Sequence, residues 1–232
     1  DTRLLQYDPH LSGDILGMAK LYTKWSTEIV HANDIPAALQ RAFKMAMQPP
    51  TGPVLVSIPQ NVLGESFDFQ YKPRTTVYPR LRPDEVALLR AIGILREAKK
   101  PVILVGSGVT RCEALDEVIQ FGELIGARVY QGWMSDVNFS VSHPQYLGDL
   151  DPTSPKAKGV FRNVDVLVGI GCPMFAQGFY NPEPTLPEGI KIIQMDENPW
   201  QIGKNFLVDC GIQGDIKVTL AELNEAIKKD MP

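Results

Sequence analysis

Apolar residues return along residues 34–48 at Ile35, Leu39, Ala42, Phe43 and Ala46, spacings that lay one stripe along a helix. Asn33 or Asp34 can cap it, because a side-chain oxygen accepts from the orphan N–H groups of a first turn. The sequence PPTGP then breaks the chain, and VLVSIP (54–59) reads as a short buried strand. Residues 60–82 show no sustained period; two prolines, several charges and Phe67, Phe69, Tyr71 and Tyr78 describe a linker packed on a domain surface.

From residue 83 the pattern becomes regular. A helix over 83–98 carries Leu88, Ala91, Ile92 and Leu95, and the strand PVILVG follows at 101–106. A helix over 112–125 carries Leu115, Val118, Ile119 and Leu124, and the strand ARVYQG follows at 127–132. A long loop is expected over 133–154, then a helix at 155–163 and the strand VDVLVGIG at 164–171. After an irregular stretch at 172–188 come the strand IKIIQMD at 190–196, a short helix at 199–204 and the apolar segment FLVDCGI. The last helix, 216–229, places Ile216, Leu220, Leu223 and Ile227 on one stripe behind a capping Asp215. Strands alternating with helices imply a parallel sheet covered on both faces, and right-handed crossovers make 83–229 an α/β, doubly wound Rossmann-like domain. Near residue 34 begins the first strong element, so residues 1–60 supply at most a partial second α/β unit, followed by a linker at 61–82.

Composition narrows the function classes. A net charge of −4 without a Lys/Arg cluster gives no footing for nucleic acid, and no apolar run is long enough to span a bilayer. Three scattered cysteines, Cys112, Cys172 and Cys210, suit neither a disulfide framework nor a zinc site, and read as small buried residues in a reducing, cytoplasmic setting. The chain opens DTRLLQYDPH without an initiator Met, as a fragment would.

Four segments can carry chemistry. The turn VGSGVTR puts Gly106, Ser107 and Gly108 between a strand and a helix, where a dinucleotide fold seats phosphate. Its third glycine position is Arg111, and the next strand ends without an acid, so a tight turn that merely needs glycines explains it equally. GIGCPMF (169–175) ends another strand and has no basic residue. Asp196 in QMDENPWQIGKN can hold a ribose hydroxyl or cap the helix near Pro199. His143, in VSHPQYLGDL, stands in the long loop, where a titratable imidazole suits proton transfer or a backbone hydrogen bond.

Read in series, GPVLVSIPQNV, KKPVILVGSGVTR, HPQYLGDL, VDVLVGIGCPMF, IIQMDENPWQIGKN and GIQGDIKVTLAEL resemble landmarks of thiamine-diphosphate-dependent enzymes of the benzoylformate decarboxylase and acetolactate synthase group. The resemblance implies that 1–60 is the C-terminal portion of an N-terminal pyrimidine-binding domain and 83–229 the central domain. It implies a parent that decarboxylates a 2-keto acid or transfers the resulting acyl carbanion. The parent would use thiamine diphosphate and magnesium held by domains outside this chain. Gly148–Asp149–Leu150 and Gly214–Asp215–Ile216 both lack the second glycine of the family's diphosphate motif. Partners implied are the N- and C-terminal domains of the same polypeptide, in a homo-oligomer, with this chain as a non-catalytic scaffold. His143 resembles the place of an active-site histidine in the decarboxylases, and Gly106, Ser107, Gly108 and Asp196 resemble contacts to FAD or an adenine nucleotide in other members. CPMFAQGFYNP stands where flavin-binding members carry an arginine-rich segment, a departure shared with the flavin-free decarboxylases. Two other classes stay open: a free-standing nucleotide-binding module built on Gly106, and a structural or interaction domain without a ligand.

Overall fold

The computed structural model describes residues 1–10, 12–69, 77–132, 134–151, 154–175 and 186–230. They belong to two compact units, Asp1–Pro79 and Arg80–Pro232.

In the first unit a 3-10 turn, Thr2–Tyr7, precedes α1 (Ile15–Lys20), which starts where Asp14 Oδ1 accepts from the Gly17 N–H at 2.7 Å. β1 (Trp25–Glu28) comes next, then α2 (Ile35–Met47), β2 (Val54–Ser57) and the single turn α3 (Gln60–Leu63). β1 and β2 pair in parallel, Trp25 opposite Val54 through Glu28 opposite Ser57. Regular structure therefore begins well before residue 34; WSTE, with one large apolar residue, gives no apolar run to detect. The α2 stripe is also rotated from the expected one. Ala42 is buried and Ile35 and Ala38 pack on the small cluster of Ile29, Ala32 and Val62, while Leu39, Phe43 and Met47 stay exposed. Lys24 Nζ donates to the carbonyls of Gln48 and Pro50, closing the turn after α2. Phe67, from the stretch without a period, packs on the same cluster; Tyr71 lies outside the described residues.

The second unit starts at α4 (Glu85–Glu97), where Asp84 Oδ1 accepts from the N–H groups of Val86 and Ala87. β3 (Val102–Val105), α5 (Gly108–Arg111), α6 (Leu115–Leu124), β4 (Arg128–Gly132) and β5 (Tyr146–Leu150) follow. Then come α7 (Pro155–Phe161), β6 (Val166–Ile170), β7 (Lys191–Asp196), β8 (Cys210–Gln213) and α8 (Ile216–Asp230). The six strands are all parallel, in the order β5-β4-β3-β6-β7-β8. Counted within the unit this is 3-2-1-4-5-6, the doubly wound order of dinucleotide folds, reversing between β3 and β6. Alternate strand residues serve opposite faces. Ile103, Val105, Val168, Ile170, Ile193 and Met195 meet α4, α6 and α8, whereas Val102, Leu104, Leu167 and Ile192 meet α7.

Three expectations change in this unit. The 112–125 helix is two helices, because the chain turns at Glu113 with φ 56° and Ala114 donates back to the Val109 carbonyl. The 133–154 loop contains edge strand β5, whose YLGDL alternates exposed and half-buried residues around Gly148 at φ 96°, ends on buried Leu150 and pairs with β4 across a register shift. The helix expected at 199–204 is one 3-10 turn, Pro199–Gln201.

Candidate functional site

In a doubly wound sheet a ligand seats at the carboxyl ends of the strands where the order reverses. Here that point lies between Gly106, after β3, and Gly171, after β6. The two turns press directly on one another. Gly106 N–H donates to the Ile170 carbonyl and Gly108 N–H to the Gly171 carbonyl, each at 2.9 Å. A Cβ on Gly106 would fall 2.4 Å from Cys172 Cβ, and one on Gly108 would fall 2.5 Å from Gly171 Cα. Gly171 itself has φ 58°, a left-handed conformation that favours glycine. These glycines thus serve the contact between two backbones.

A phosphate cradle needs free N–H groups aimed at one point. Those of Gly106 and Gly108 are taken, Val109 N–H donates to the Gly106 carbonyl, and Thr110 N–H donates to Asn138 Oδ1 at 3.4 Å. Ser107 Oγ accepts from the Asp136 N–H at 3.1 Å. Arg111 lies 3.7 Å from Glu197 Oε1. The described geometry is that of a closed strand-to-helix turn.

Asp196, 1% exposed, ends β7 beside this contact. Burial pushes its carboxyl up, against the Asn198 N–H that donates to it at 2.8 Å and the nearby Arg111 cation. It does not cap the turn at Pro199. Asn198 does, its Oδ1 accepting from the Trp200 N–H at 3.1 Å, and Asp196 holds Asn198 in place. The turn is fixed from below by buried Gln194, whose Nε2 donates to the Gln201 carbonyl and whose Oε1 accepts from the Gly203 N–H, both at 2.9 Å.

His143 stands at the opposite end of the sheet. It precedes β5, beside the first rung in which Val129 N–H donates to the Gln145 carbonyl. Nδ1 accepts from the Gln145 N–H at 3.3 Å and Nε2 lies 3.2 Å from Glu123 Oε1. The structure therefore does not bring His143 together with Gly106, Ser107, Gly108 and Asp196, and both ring nitrogens have protein partners.

Sequence reasoning passed over Asn138 and Gln145. Asn138, fully buried, joins α5 to the β4–β5 crossover: its Oδ1 accepts from the Thr110 hydroxyl at 2.9 Å and its N–H donates to Gln131 Oε1 at 3.1 Å. Gln145 Nε2 donates to the carbonyls of Gly122 and Ala127, both at 2.9 Å. Lone amides in a loop carry no pattern that marks them. Burial pushes the Cys172 thiol up to about 12 and the Cys112 thiol up to about 11, as suits inert packing residues. CPMFAQGFYNP lies outside the described residues from Ala176 on.

Among the described residues no group of three or more His, Cys, Asp or Glu side chains is placed to hold a metal ion. No helix among them is long and apolar enough to cross a membrane.

The family described as "thiamine pyrophosphate enzyme, central domain" matches residues 88–223. The acetolactate synthase large subunit of Corynebacterium glutamicum is 35% identical over 231 residues, covering 97% of this chain and 36% of that protein. The acetolactate synthase of Mycobacterium leprae is 31% identical over 225 residues, 95% of this chain and 36% of its own length. In structure, the benzoylformate decarboxylase of Polynucleobacter necessarius superposes with a TM-score of 0.85 at 28% identity, covering 96% of this chain and 42% of that one. The chain thus spans little more than a third of the curated relatives it matches. The fold, its strand order and a family match over more than half of the length agree: the chain belongs to the thiamine pyrophosphate enzymes, with residues 88–223 matching their central domain.

Proposed function

We propose that this chain is the scaffolding middle of a longer thiamine-diphosphate-dependent polypeptide acting on 2-keto acids. The parent releases carbon dioxide and then either protonates the remaining acyl unit, in the manner of benzoylformate decarboxylase, or transfers it, in the manner of acetolactate synthase. One observation carries the reading: similarity to the acetolactate synthase large subunit runs through 97% of this chain yet covers 36% of that protein.

Its partners, on this reading, are the N- and C-terminal domains of the same polypeptide, which hold thiamine diphosphate and magnesium, within a cytoplasmic homo-oligomer. Residues 1–60 are the closing portion of the pyrimidine-binding domain, 61–82 the linker and 83–229 the central domain. The apolar surface of the first unit supports this, with Met18, Leu21, Tyr22, Phe43 and Met47 all exposed, more than an isolated piece ordinarily shows water. We assign His143 to the architecture, since both of its ring nitrogens are engaged. A nucleotide module on Gly106, Ser107, Gly108 and Asp196 is not adopted, because the glycine amides are spent on Ile170 and Gly171.

The test is the product of the full reading frame, supplied with thiamine diphosphate and magnesium and offered labelled pyruvate or benzoylformate. Acetolactate from pyruvate selects the transferase, and benzaldehyde from benzoylformate selects the decarboxylase. No carbon dioxide from any 2-keto acid overturns the proposal.

A further inference from the structure

Every hydrogen-bonding group of His143 is in use. Its N–H donates to the Ser140 carbonyl at 3.0 Å, and its carbonyl accepts from the Tyr146 N–H at 2.9 Å. Nδ1 accepts from the Gln145 N–H, so that nitrogen carries no proton; Nε2 carries it and donates to Glu123 Oε1. The ring stands edge-on to buried Phe139, centroids 5.2 Å apart and planes at 87°, and Phe139 stacks in turn on Tyr146, the first residue of β5. On this turn depends the Gln145 carbonyl, which accepts from Val129 N–H in the first rung between β4 and β5.

We propose that His143 is a proton-operated latch on edge strand β5. The neutral ring closes the turn and the imidazolium opens it. Protonation puts a hydrogen on Nδ1, which then meets the Gln145 N–H donor to donor. Among the described residues that N–H has no other acceptor. Glu123 of α6 pulls the other way by favouring the cation, but its side chain is 59% exposed and its attraction is screened by water. From β5, the Tyr146 hydroxyl donates to Asp149 at 3.0 Å and occupies that carboxylate. From β4, apolar Val129 makes the rung, and Arg128 before it adds positive charge at the same end of the sheet. The ring's own segment offers only the uncharged hydroxyls of Ser140 and Ser142.

The test is made on the intact 232-residue chain, labelled with nitrogen-15, from pH 8 to pH 5. Long-range proton–nitrogen correlation reads the ring tautomer, and amide exchange corrected for its intrinsic rate reads protection at Gln145 and Val129. The Nε2–H tautomer is expected at pH 8. As the ring charges, protection at both amides should fall about tenfold, the loss of one net hydrogen bond. His143→Asn keeps an acceptor two residues before the Gln145 N–H, as in an Asx-turn, without a titrating charge, and its profile should be flat. Glu123→Gln removes the pull toward the cation and should move the transition to lower pH. An Nδ1–H tautomer at pH 8, constant protection while the ring charges, or an equal fall in His143→Asn overturns the latch. Should His143→Asn fail to fold, the wild-type tautomer and the Glu123→Gln shift decide alone.

Discussion

Gly108 and Gly171 meet backbone to backbone, the N–H of one donating to the carbonyl of the other at 2.9 Å, where the strand order reverses. A crevice that receives a ligand in many doubly wound sheets is bridged here by the protein's own chain. Gly108→Ala would place a methyl 2.5 Å from the Gly171 backbone, which has no flexible side chain to move aside. Overpacking of this kind costs about 1–3 kcal/mol. Urea unfolding of the variant should show the loss at unchanged slope, and an unaltered midpoint would mean that the turn has room to spare.

Asn138 should be as sensitive, for a different reason. Its side chain is fully buried, with Oδ1 accepting from the Thr110 N–H and Nδ2 donating to Ser135 Oγ. Asn138→Ala removes both side-chain bonds, leaves the Thr110 N–H without its acceptor and should cost about 1–3 kcal/mol. Calorimetry would show a lowered melting temperature; wild-type stability would remove Asn138 from the framework.

Acid should attack the turn between α4 and β3. Burial alone would push Asp165 up, but the backbone N–H groups of Lys99 and Lys100, donating at 2.6 and 2.9 Å, overcome it and hold the carboxylate below its ordinary value. A carboxyl whose folded pKa is depressed contributes stability above its unfolded pKa, about 3.9, and loses it as pH falls through the folded value. Asp165→Asn should therefore destabilise the protein at neutral pH and flatten the pH dependence below about pH 4. Denaturation midpoints at a series of pH values measure both, and parallel curves for variant and wild type would contradict the assignment.

Protection from hydrogen exchange should be lowest over residues 1–30. No residue of α1 is buried, and Ile15, Met18, Leu21 and Tyr22 face solvent. Exchange followed by mass spectrometry should label this stretch before α4 to α8; uniform protection would count against its being part of a larger domain.

How far these features were legible depended on burial. VILV, VLVGI and KIIQMD announce themselves because strands covered on both faces read as apolar runs. WSTE and YLGDL do not, because β1 lies in a two-stranded sheet and β5 on an edge, where one side of each strand stays partly wet. The glycines of VGSGVTR were visible, but whether their amides face a ligand or another turn depends on Gly171, more than sixty residues away. His143 stood out as a rare titratable residue in a loop. Its fold partners, Glu123 and the Gln145 N–H, set its role, and neither is marked by spacing.

On the function proposed above, this chain supplies architecture to an enzyme whose cofactor chemistry lies in other parts of the same polypeptide. Calorimetric titration with thiamine diphosphate and magnesium, run on the 232-residue chain beside the full reading-frame product, tests it most directly. Heat of binding is expected for the full product and none for the chain alone. Equal binding by both, or by neither, would contradict it.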